Sequence, residues 1–102
     1  MEYLNKVELR GIVGAYRTVT INDASITNFN VMTNHAYWSK SGDAVIESTW
    51  HNVAFHGIIG KMTKGSKVYV TGRIRNNSYT GADGEERYSN EIVAKSVELI
   101  ED

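Results

Sequence analysis

Apolar side chains in this chain return at every second residue more often than at helical spacing, and no proline interrupts them. Alternation of that kind describes extended strands that bury one face and wet the other. Val7, Leu9 and Val13 alternate through a first strand, with Gly11 and Gly14 where a curved strand needs no Cβ. Phe29 and Val31 continue the pattern in a second strand from about Ser25 to Asn34, and a third runs from about Val45 to His56. Val68, Val70 and Ile74 mark a fourth, and Arg87 to Ile100 a fifth. Without proline, turns fall to Gly, Asn, Asp and Ser, which places them at Ser41-Gly42-Asp43 and at Gly81-Ala82-Asp83-Gly84. Ile58 to Lys64, closed by Gly65, is the only short stretch that could make a helical turn.

Five strands with one short helix between the third and fourth is the element order of an OB-fold, an all-β, five-stranded Greek-key barrel. At 102 residues the chain is one domain's worth, taken as spanning residues 1–102, and it can bury roughly two-thirds of its unfolded surface in one core. The absence of cysteine excludes disulfides, thiolate zinc sites and cysteine nucleophiles. No apolar run approaches the roughly 18–20 residues of a membrane span and no secretory signal opens the chain, so a cytoplasmic protein without membrane contact is expected.

Net charge is −1, but it is unevenly spread. Residues 1–82 hold nine Lys/Arg against five Asp/Glu, a balance of +4, and residues 83–102 hold two against seven, a balance of −5. Lys61, Lys64, Lys67, Arg73 and Arg75 follow one another with no acid between them. A basic stretch beside an acidic end fits an anionic partner on one face, or a solvated charged surface.

Parity sharpens the choice. If Val53 and Phe55 point into a barrel, Trp50, Asn52, Ala54 and His56 point out; if Val68, Val70 and Ile74 point in, Tyr69, Thr71, Arg73 and Arg75 point out. Aromatic and basic residues interleave in three places: Tyr37 and Trp38 beside Lys40 after the second strand, Trp50 with His51 and His56, and Tyr79 after Arg73 and Arg75. Single-stranded nucleic acid asks for this mixture, because rings offer flat faces to bases while cations follow phosphates. Trp50 in a core or subunit interface, and Arg73 and Arg75 as solvated strand charges, are the competing readings. Catalysis finds little support. His51 and His56 are five apart, so a strand turns them to opposite faces, and His35 has no carboxylate pair to complete a metal site. No Ser-His-Asp pattern, Walker motif or dinucleotide fingerprint is present, and no cofactor or metal is expected.

Several segments together make the chain resemble the bacterial single-stranded DNA-binding proteins. They are Asn5-Lys6-Val7 with Gly11 and Gly14, Phe29-Asn30-Val31 with Thr33, Thr49-Trp50-His51-Asn52-Val53, Lys64-Gly65-Ser66-Lys67-Val68-Tyr69-Val70, Gly72-Arg73-Ile74-Arg75, Tyr79, Asp83-Gly84 and Arg87-Tyr88. The resemblance implies stacking by Tyr37, Trp38, Trp50, His56 (where the family usually has Phe) and Tyr79 (where it has Trp). Lys6, Lys40, Lys64, Arg73 and Arg75 would meet phosphates. His51 matches a family histidine near the subunit interface, and the implied assembly is a homotetramer before a homodimer. The implied function is sequence-independent binding and protection of single-stranded DNA in replication, recombination or repair, in a nucleoid-associated cytoplasmic setting, with replication or repair proteins as further partners. Asn52, Ile58, Asn77 and Ser78 stand where the family often carries cations, and the helix region is shorter than usual. The sequence stops at Glu101-Asp102 without the family's acidic tail, so the resemblance is to a short form. A primosomal replication protein-type adaptor, or a structural OB scaffold with its face buried between subunits, is the alternative.

Overall fold

The computed structural model describes residues 1–100; Glu101 and Asp102, on which the reading of a missing acidic tail rests, lie outside the described residues. Five strands form: β1 (Val7–Ile21), β2 (Ala24–Trp38), β3 (Ala44–His56), β4 (Lys67–Thr80) and β5 (Glu86–Leu99). They close into a barrel in the order β1-β2-β3-β5-β4, the all-β arrangement of an OB-fold. All pairings are antiparallel except β3 with β5, which is parallel and covers only Val53–Phe55 against Ile92–Ala94. Among the described residues no helix is long and apolar enough to cross a membrane.

The alternating residues supply the core. Val13, Phe29, Val31, Val53, Val68, Val70, Ile92 and Ala94 are buried together, with Val7, Leu9 and Phe55 partly buried against them. The β1–β2 turn is Asn22-Asp23, both at positive φ (50° and 65°), the geometry whose twist matches that of the flanking strands.

Four expectations need correction. No helix forms between β3 and β4. A seven-residue helix would be marginal in any case, and here Lys61 is left-handed at φ 65° while Met62 is drawn into the core at 4% exposure. Ile74 is 47% exposed and not core, although its β5 partner Ile92 is buried, because the pairing of β4 with β1 ends at Gly72 and Val7. Ala54 has outward parity but is buried, held between Asn28 of β2 and Val93 of β5. Tyr37 and Trp38 are not in a loop: β2 continues to Trp38, with Tyr37 opposite Val45 and Trp38 opposite Ala44.

The hairpins therefore outgrow the barrel. The radius of gyration is 16.2 Å, against roughly 13 Å for a compact chain of about 100 residues. The β2–β3 ribbon beyond Asn34 and the β4–β5 ribbon beyond Arg75 are exposed two-stranded arms.

Candidate nucleic-acid interface

Trp50 lies in β3 opposite Met32, on the outer face, and is 55% exposed. What holds it begins in β1. Between Val13 and Tyr16 the β1–β2 register slips, placing Gly14 and Ala15 opposite Asn30. The Asn30 side-chain oxygen accepts the Ala15 N–H at 2.9 Å, which satisfies a donor that the irregular ladder leaves over. The indole fills the space above Gly14: a Cβ there would stand 2.4 Å from Trp50 Cζ3 and 2.6 Å from Asn30 Oδ1. The ring is thus seated on backbone while more than half of the residue stays open to solvent. A flat, supported, half-exposed ring is what base stacking requires.

The irregular segment before β4 then brings a cation to the ring. Gly65 N–H donates to Val13 O at 2.8 Å and Val13 N–H to Ser66 O at 2.9 Å, tying the segment to β1. Thr63 N–H donates to Ser66 Oγ at 2.9 Å and closes the turn. Lys64 consequently lines a concavity of about 410 Å³ with Gly14, Ala15, Asn30 and Trp50.

The remaining candidates are scattered. Trp38, 75% exposed, has the same parity on β2 as Met32 and sits about 20 Å farther along the ribbon at 3.3 Å per residue. Tyr37 has the opposite parity and stacks on His35, with ring centroids 6.0 Å apart. Lys40 is exposed in the turn at the tip of that arm, and Tyr79, half exposed, lies near the tip of the β4–β5 arm opposite Arg87. His56 ends β3, exposed, opposite Ile26.

Two of the expected phosphate contacts are already engaged. Arg75 donates through Nε and Nη2 to Glu91 Oε1, and the Glu91 side chain is only 17% exposed. Lys6 lies 3.3 Å from Glu8. Arg73 belongs to another surface, a groove of about 670 Å³ shared with Lys6, Glu8 and Lys95. His51 has the inward parity of Val31, is partly buried, and its Nε2 lies 2.9 Å from Thr33 Oγ1. It lines a concavity of about 340 Å³ together with Trp50, Val7 and Leu9.

Sequence reasoning missed a second feature. Past Val53 and Ile92 the pairing of β3 with β5 ends, and a cleft of about 400 Å³ opens there between the β1 bulge and the β4–β5 arm. Tyr16, 48% exposed, forms part of its wall, and Asn28, Asn30, Asn52, Asn77 and Asn90 line it. Tyr16 carried a usable signal, an aromatic two residues beyond Gly14. The gathering of asparagines from four strands carried none, since only the register brings them together.

Comparison with known proteins returns a consistent picture. The model of the Single-strand binding protein family matches residues 4–100. A single-stranded DNA-binding protein of Xylella fastidiosa (strain Temecula1) is 35% identical over 104 residues, covering 95% of this chain and 63% of the relative. A second protein of that species (strain 9a5c), single-stranded DNA-binding protein 1, is 33% identical over 108 residues, covering 98% of this chain and 79% of the relative. The chain thus spans about three-fifths of the length of several curated relatives that it matches. Among solved structures, a Plasmodium falciparum SSB in complex with ssDNA superposes with a TM-score of 0.89 at 19% identity, covering 99% of this chain and 98% of that one. That likeness establishes the shared barrel.

Proposed function

The chain belongs to the single-strand binding protein family, and from that premise we propose that it binds single-stranded DNA without catalysis, as a homo-oligomer, in the cytoplasm. Bases stack on exposed rings, Trp50 first, while Lys64 and Lys40 meet the phosphate chain. Affinity of this kind depends weakly on sequence, because every base presents a π-face. The observation that carries the reading is the seating of Trp50 on Gly14 with Lys64 beside it. A structural core would bury the indole, and a catalytic site would gather titratable groups. This surface does neither.

Titration with oligothymidylate tests the reading directly. Tryptophan fluorescence is expected to quench on binding, and double-stranded DNA of the same length to compete poorly. Absence of quenching together with absence of binding would favour the scaffold alternative. Salt dependence is a second expected result. Asn52 and Asn77 occupy positions that are often cationic in the family, and Arg75 and Lys6 pair with Glu91 and Glu8. Few phosphates are then neutralised per subunit, and each contributes a slope of roughly −0.7 in log affinity against log salt. The measured slope is expected to be shallower than that of a relative carrying those cations. An equal or steeper slope would mean that Lys40, Lys61 or Lys64 compensates.

Assembly follows from groove length. One barrel offers a short track, and linking several multiplies weak contacts through effective concentration. In this reading His51, which the resemblance sets near the subunit interface, acts on subunit packing more than on bases. A His51→Tyr variant is expected to dissociate more readily on dilution and to lose strand affinity only as its subunits part. Sedimentation across a concentration series reads both, and a wild-type monomer that binds tightly would overturn the assembly.

A further inference from the structure

The polar lining of the Tyr16 cleft is mostly side-chain amides, the chemistry that reads a base edge. Of its asparagines, Asn30 spends its oxygen on Ala15, while the side-chain amides of Asn28, Asn52, Asn77 and Asn90 have no hydrogen-bond partner among the described residues. Each amide offers a donor beside an acceptor in one plane. The cleft's charges are Arg17, exposed and without an ion-pair partner among the described residues, and Glu91, which Arg75 holds, so one cation at the wall is left to meet the phosphate that flanks a bound base. At about 400 Å³ the space lies within the range of small-ligand sites. Tyr16 supplies a half-exposed ring at its wall.

We propose that this cleft receives a single unstacked base, held against Tyr16 and read at its edge by the amides of Asn52 and Asn90, with adenine preferred. Asparagine pairs in bidentate fashion with the amino donor and ring-nitrogen acceptor of adenine, and such a pair leaves both partners satisfied on leaving water. The inference rests on the single-strand-binding reading and adds to it. Stacking on Trp50 stays indifferent to sequence, while one position per subunit acquires a bias.

The test uses the intact protein and two oligothymidylates of one length. One carries a central run of deoxyadenosine, the other the same run as purine deoxyribonucleoside, which keeps the ring system and lacks the amino donor. Wild type is expected to bind the adenine probe roughly tenfold more tightly. Asn52→Ala/Asn90→Ala, both at exposed positions, is expected to bring the two probes within about twofold of each other. Trp50→Ala is expected to weaken both and keep their ratio. Equal affinities in wild type, or a preference that survives the double variant, would overturn the base-reading cleft while leaving strand binding intact. Failure to bind either probe would instead overturn the functional reading, and the cleft with it.

Discussion

Gly72→Ala is expected to destabilise the barrel by about 3 kcal/mol, the upper end of ordinary overpacking costs. At the β4–β5 register shift, a Cβ on Gly72 would stand 2.1 Å from Val93 O and 2.9 Å from Ala94 Cα. Both are backbone atoms of the paired strand. A flexible side chain could swing aside, but here the strands themselves must separate, at the point where β5 is paired with β4 and β3 at once. In a domain of this size the loss corresponds to a fall in melting temperature of roughly 12–24 °C. Gly60→Ala is the matched control, since nothing lies within 4 Å of its added methyl, and it is expected to stay within about 0.5 kcal/mol of wild type. Thermal unfolding followed by circular dichroism reads both. A Gly72→Ala protein melting within a couple of degrees of wild type would show that the strands are not in such close approach.

The second large effect is on binding. Trp50→Ala is expected to weaken oligothymidylate binding by about 1–3 kcal/mol, or roughly fivefold to 150-fold, with little change in melting temperature. Gly14→Val acts on the same ring from β1, with the indole itself unchanged. The added side chain competes with the indole for the surface above β1, and because a side chain can yield where backbone cannot, the ring is displaced and the fold survives. Affinity is expected to fall in Gly14→Val as in Trp50→Ala, and the double variant to be no weaker than Trp50→Ala alone. A Trp50→Ala protein that unfolds early while binding normally would place the residue in the framework and not in the interface.

Much of the fold was legible because a buried strand face imposes its period on the residues that fill it. Val13, Phe29, Val31, Val53, Val68 and Val70 could be assigned to the core one strand at a time. The misreadings fall where that rule stops applying. His35 to Trp38 lie past the expected end of the second strand because an exposed ribbon has no core face to stamp a period on it. Ile74 keeps the period and lies outside the core, because periodicity does not say where a barrel ends. The helical turn at 58–64 failed through competition: Met62 gains more by closing the core than a short isolated helix gains by forming.

The candidate site divides along the same line. The outward direction of Trp50 and Arg73 and the position of the β4–β5 turn are properties of the pleat and of local turn chemistry, and the sequence by itself determined them. That Trp50 rests on Gly14, 36 positions earlier, that Arg75 is neutralised by Glu91, and that asparagines of four strands face one cleft were decided by tertiary structure alone. Each depends on strand register and on closure of the sheet, which join residues far apart in the chain. Alternation of side chains gives a direction to every residue but a neighbour to none.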